Sequence, residues 1–136
     1  DIYKNRQYPA NFTSPNVLKV ASAETDRLDP SRLRTYKLSS WSNFGKANVD
    51  ILAPGAHISA ARLGGGLVVH SGTSMASPYM AHEAARLWMM FPSLTATQVR
   101  EIFIKSAAPL DEQPLVLSGG IVDFEAAVRT AREMKP

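Results

Sequence analysis

Cysteine is absent from all 136 residues, which rules out disulfides, thiolate metal sites and cysteine nucleophiles. The same absence leaves the compartment open, because a cysteine-free chain suits reducing and oxidising surroundings alike. Long hydrophobic runs are also missing. None approaches the roughly 18 apolar residues of a membrane-spanning helix, so no membrane partner is expected. No leader peptide is visible, and a chain opening on Asp1 is expected to derive from a longer polypeptide. Charge of one sign is lacking too, with 15 basic against 12 acidic side chains. The densest basic group, Arg27, Arg32, Arg34 and Lys37, is interleaved with Asp29 and Pro30 and reads as a solvated loop. With no nucleic-acid motif beside it, a nucleic-acid partner is not expected. Gly64-Gly65-Gly66 lacks both the Lys-Ser/Thr of a phosphate loop and dinucleotide-loop spacing, which leaves a plain turn.

What the chain does have is a hydrophobic share of 45%, enough at this length for one modest core. Its first 15 residues, with Pro9 and Pro15, read as irregular chain. Short apolar runs at Asn16–Ala21, Val49–Ala53, Ile58–Ala61 and Leu67–His70 read as strands. Between the first two runs lies a polar loop from about Glu24 to Ser40, then turn chemistry at Trp41–Gly45. From Ser74 the pattern becomes helical. Ala76, Met80, Ala84, Leu87 and Phe91 recur every three or four residues, while Ala81, Ala85, Trp88 and Met89 make nearly every face apolar, which predicts a helix buried all round. Pro92 ends it. Thr95 or Thr97 can cap a second helix with Val99, Ile102 and Phe103 facing inward. After Gly119-Gly120 a third helix, around Phe124 to Met134, presents Ala127, Val128 and Ala131. Strands first and helices after predict an α/β arrangement or a piece of one.

Gly72-Thr73-Ser74 joins the last strand to the first helix. A nucleophilic serine needs exposure, backbone N–H donors near its oxygen, and a base. A tight glycine turn into a helix start supplies the first two, and Pro78 is expected to be tolerated in or near the first turn. The plainer alternative is that Thr73 or Ser74 only caps the helix. The base is harder to find among the three histidines. His82 lies about 12 Å along the helix from Ser74, His70 roughly 13 Å up an extended strand, and nothing near His57 suggests an acid partner. The Gly-x-Ser-x-Gly elbow of α/β-hydrolases requires a histidine after the acid, and none follows His82.

Gly72-Thr73-Ser74-Met75-Ala76-Ser77-Pro78 resembles, position for position, the nucleophile signature of subtilisin-like serine proteases. Tyr8-Pro9-Ala10-Asn11-Phe12 is similar to that family's Tyr-Pro-Ala segment beside the primary specificity pocket, and Asn16–Ala21 to one of its strands. Ser42-Asn43-Phe44-Gly45 with Val49–Gly55 resembles its "SN-x-G…D-x-x-APG" stretch. Thr97–Arg100 and Gly120–Ala127 fit its closing helices.

The resemblance implies the C-terminal portion of a three-layer α/β fold with a mainly parallel central sheet, residues 1–136 forming one segment of a peptidase domain. It implies Ser74 as acyl-forming nucleophile, with its own N–H as an oxyanion donor, and Tyr8 and Pro9 as substrate-binding residues, joined by a bond the family often holds cis. The catalytic Asp and His and the oxyanion Asn would lie upstream, in a missing N-terminal half that becomes a required partner. Peptide or protein is the implied substrate, secretion the implied location, and no cofactor is needed for catalysis. Structural calcium occurs in the family, but Asp26, Asp29, Asp111 and Glu112 show no ligand spacing. Two departures stand out: Tyr79-Met80-Ala81-His82 replaces His-Val-Ala-Gly, so His82 is expected to alter helix packing, and the Glu24–Ser40 loop is long. The alternative to an enzyme is a non-catalytic pseudo-protease or peptide-binding fragment. A parallel sheet short of strands would also leave open edges.

Overall fold

The computed structural model describes residues 7–25, 36–110 and 116–134. The basic residues Arg27, Arg32 and Arg34 and the acids Asp26, Asp29, Asp111 and Glu112 fall outside them. The described chain runs β1 (Val20–Thr25), β2 (Tyr36–Leu38), β3 (Ile51–Pro54), β4 (Ile58–Ala61), β5 (Leu67–His70), α1 (Thr73–Met90), α2 (Ala96–Lys105), β6 (Ala108–Pro109), β7 (Gly120–Ile121) and α3 (Phe124–Glu133). Five strands form one sheet in the order β2-β1-β3-β7-β6. Its three central strands are parallel, and the edge strands β2 and β6 are antiparallel to their neighbours.

β3 shows why the sheet sits where it does. Ile51, Leu52 and Ala53 are all fully buried, as in a strand covered on both faces. Ile51 and Ala53 face a core to which all three helices contribute, through Met80, Leu87, Val99, Ile102, Phe103, Ala127 and Ala131 among others. Leu52, pointing the other way, joins Ala21, Ala23, Val49, Val116 and Ile121. The helices therefore stack on one face, and strand ends and connecting chain close the other.

Burial of α1 differs from the all-round burial its composition predicts. Only Ala76, Met80, Glu83 and Leu87 are buried, while Trp88 is 42% and Met89 83% exposed. Glu83, a charged residue on the inward face, is held by Arg86 at 2.7 Å, and the Arg86 guanidinium lies 3.8 Å over the Phe124 ring. That contact ties α1 to α3. His82 is exposed and is not packed against the neighbouring helices. Pro78 is the sixth residue of the helix, beyond the first turn. It thus withholds the N–H that would bond the Ser74 carbonyl.

The apolar run at Asn16–Ala21 predicts its strand about four residues too early. β1 continues instead to Glu24 and Thr25, where it pairs with β2 (Glu24↔Lys37, Thr25↔Tyr36). Polar side chains hid a ladder made by backbone groups, and β2 lies inside the predicted loop. β2 reaches only as far as Ala23, so Val20 and Ala21 have no strand partner on that side among the described residues. Ser22 is satisfied there by side chains and loop: its N–H donates to Ser42 Oγ at 2.9 Å and its carbonyl accepts from Ser39 N–H at 2.9 Å. The hairpin β4–β5 forms as expected, its triple glycine adopting φ values of 86°, 101° and 80°, which glycine reaches without steric penalty.

Asp50 links three separate parts of the chain. Its carboxylate accepts from Lys19 N–H at 2.8 Å and from Arg100 at 2.6 Å, and its carbonyl accepts from Ser118 N–H at 2.9 Å. The Asp50 side chain is 4% exposed, so removing its partner strands a charge in a dry site. Arg100→Met is expected to lower the unfolding free energy by about 3 kcal/mol, whereas Asp50→Asn combined with Arg100→Met should recover part of that loss; urea denaturation of both variants checks this. Thr95 caps α2 in a capping box with Gln98. Thr95→Ala should cost about 1 kcal/mol in the same assay.

Candidate active site

Ser74 is the second residue of α1 and is exposed. Neither Thr73 nor Ser74 caps the helix. The N-cap is Gly72, with φ 161° and no side-chain bond. The N–H groups of Met75 and Ala76 both donate to the Gly72 carbonyl, at 3.0 and 3.3 Å. Those of Thr73 and Ser74 therefore precede the first intrahelical bond, at the positive end of the helix dipole. Donors placed there suit an oxygen that gains negative charge.

Gly55, just after β3, places this turn. Its carbonyl accepts from Gly72 N–H at 2.7 Å, and its own N–H donates to Ala23 carbonyl at 3.0 Å. A Cβ on Gly55 would overlap Ser22 Oγ and come within 2.8 Å of the Gly72 carbonyl oxygen. No other residue fits between β1, β3 and the start of α1.

Ser74 and Pro9 line one open cavity of about 720 Å³, with Phe12, Asn43, Thr73 and Ser77 among its other walls. The Tyr8–Pro9 bond is cis. Tyr8 itself does not line the cavity: it is 59% exposed and packs on Phe12, ring centroids 5.1 Å apart. Phe12, at the end of the same segment, is thus the aromatic that faces the site.

No histidine, aspartate or glutamate is among the residues lining this cavity. His57 borders a separate cavity of about 370 Å³ with Tyr36 and Tyr79, and its backbone N–H, at φ 56°, donates to Ser71 Oγ at 2.9 Å. His70 pairs with Ile58 across the hairpin. His82 lies two turns down α1. The chain therefore brings Ser74 together with Pro9 but supplies it with no base among the described residues. Among those residues, no group of three or more histidines and acids could hold a metal ion. Sequence reading missed the Asp50–Arg100 pair. Phe12 lay inside the recognised segment, in which a role was expected only of Tyr8 and Pro9. The ion pair, joining residues 50 positions apart, carried no local signal.

Known proteins share this arrangement. The family model described as the subtilase family matches residues 3–126. Subtilisin-like protease 2 of Plasmodium falciparum is 30% identical over 128 residues, covering 90% of this chain and 9% of that protein. Subtilisin of Bacillus sp. strain TA39 is 39% identical over 104 residues, covering 68% of this chain and 25% of the relative. The cell wall-associated protease of Bacillus subtilis is 37% identical over 100 residues, 74% of this chain and 10% of the relative. The chain thus spans a quarter or less of the length of each of these proteins. Among solved structures, a chain from the subtilase cytotoxin SubAB assembly superposes with a TM-score of 0.76 at 26% identity, covering 93% of this chain and 42% of that one. The self-cleaved protease domain of PatA gives 0.71 at 28%, covering 93% and 44%. With the nucleophile signature, the strand order and the family match running together along almost its whole length, this chain belongs to the subtilase family of serine proteases.

Proposed function

We propose that the chain is the C-terminal, nucleophile-bearing segment of a serine endopeptidase domain, with residues outside it supplying the base and its acid partner. Ser74 Oγ would attack the substrate carbonyl while an upstream histidine takes its proton. The tetrahedral oxyanion would be held by Ser74 N–H and an upstream asparagine, and collapse would expel the amine and leave an acyl-enzyme that water then hydrolyses. Pro9 and Phe12, joined in one turn by Phe12 N–H on the Pro9 carbonyl at 2.9 Å, would form part of the wall that receives the side chain preceding the scissile bond. Peptide or protein is the substrate class, no cofactor is required, and the location is extracytoplasmic. The observation that carries this reading is the placement of an exposed Ser74, at a helix end with unbonded N–H groups, in the same cavity as Pro9. No helix among the described residues is long and apolar enough to cross a membrane.

The lack of a base in the cavity keeps the non-catalytic reading specific. A fluorophosphonate separates the two. In the full-length polypeptide, stoichiometric labelling at Ser74 and its loss in Ser74→Ala are expected, together with peptide hydrolysis. Peptide binding without labelling would instead establish a pseudo-protease. The isolated 136-residue chain should label about 10³-fold more slowly or worse, since two triad members are absent. Fast labelling of the isolated chain would overturn the proposed division of the active site.

A further inference from the structure

Ser22 is fully buried, carries a nucleophile-type hydroxyl and has no part in the chemistry above. It lies on β1 and does not line the cavity that holds Ser74. Its hydroxyl and Ser39 Oγ are 3.0 Å apart, and Ser39 is itself 1% exposed. Its N–H and carbonyl are both occupied, by Ser42 Oγ and Ser39 N–H. Neither end of this residue is free to move. The Ser22 hydroxyl also fills the space beside Gly55 where a Cβ would stand, so Gly55 is backed by a fixed polar atom.

From Gly55 the contact passes directly to the nucleophile turn. Gly55 carbonyl receives Gly72 N–H at 2.7 Å, and Gly72 carbonyl receives the first two helical N–H groups. Ala76 also lies within 3.0 Å of the space beside Gly55. With no side-chain cap at the start of α1, this backbone seat is what fixes the height and direction of the turn.

We propose that Ser22 is a positioning residue for Ser74: held by Ser39, its hydroxyl buttresses Gly55, and Gly55 holds the Gly72 backbone from which Ser74 is presented. This rests on the reading of Ser74 as nucleophile, but its mechanical part is testable without activity. Ser22→Ala removes the buttress. Ser39→Ala leaves the hydroxyl in place but releases its orientation, and does so without opening space next to Gly55.

Residue-resolved hydrogen exchange on the full-length polypeptide provides the first readout. Protection of the Gly72 amide should fall about ten-fold in both variants, with α2 amides such as that of Ile102 unchanged, and the double variant should lose no more than the larger single effect. Unchanged Gly72 protection overturns the proposal, as does an equal loss at Gly72 and in α2, which would make Ser22 a general core residue. The second readout is acylation. The rate at Ser74 should fall about three- to ten-fold in each variant at unchanged KM, because a small displacement of a reacting group acts on the chemical step. Wild-type acylation at Ser74 with both variants equally fast would overturn the role of Ser22. A wild type that never acylates, with Gly72 exchange still responding, would instead remove the catalytic reading and leave the buttress intact.

Discussion

The Asp50 carboxylate is the contact on which the rest of the arrangement hangs. It is buried, and a buried carboxylate must be matched on each oxygen. One neighbour is the amide that leads into β1, the other the guanidinium on α2. One partner lies at the entry to the neighbouring strand and the other in the helix layer, so the carboxylate ties β1 and the second helix to the start of β3. Once β3 is seated, Gly55 at its end is seated too, and with it the turn that carries Ser74. A charge deep in the fold thereby governs the location of a hydroxyl on its surface.

Much of this was legible from residues alone, for reasons that differ by element. α2 could be read because its signals are local: a cap at Thr95 or Thr97, then Val99, Ile102 and Phe103 on one stripe; the structure uses Thr95 and all three apolar residues. The β4–β5 hairpin could be read because three glycines in a row leave little besides a turn. β6 and β7, two residues each, could not, since so short a strand has no period. β2 was hidden because a strand that pairs along one edge can be polar. Ser74 was legible through its neighbours Gly72 to Pro78, while its environment, including Gly55 from 19 residues earlier, depends on contacts that no local pattern encodes.

The apolar character of α1 marks where composition and burial part. Its inward face needs only Ala76, Met80 and Leu87, with Glu83 accommodated through Arg86 and Phe124. The remaining alanines, Trp88 and Met89 are more apolar than an exposed face requires. In the proposed reading, that surplus is the surface against which the upstream part of the domain would pack, alongside the β1 edge at Val20, which has no strand partner on that side among the described residues. One helix would then serve two bodies, presenting the nucleophile where they meet.

Pro78 gives Ser74 an unusual mechanical status. The serine amide comes before the helix's first bond, and the proline has taken away the donor for its carbonyl. A residue inside an 18-residue helix is thus untethered along the helix axis at both its ends. The rod behind it is stiff, and the peptide unit after the hydroxyl is still held through Met75 N–H on the Gly72 carbonyl at 3.0 Å, so the serine is positioned by its neighbours' bonds and not by its own. In the proposed reading, the serine N–H is thereby left unclaimed by the helix at the point where charge would develop on the substrate oxygen.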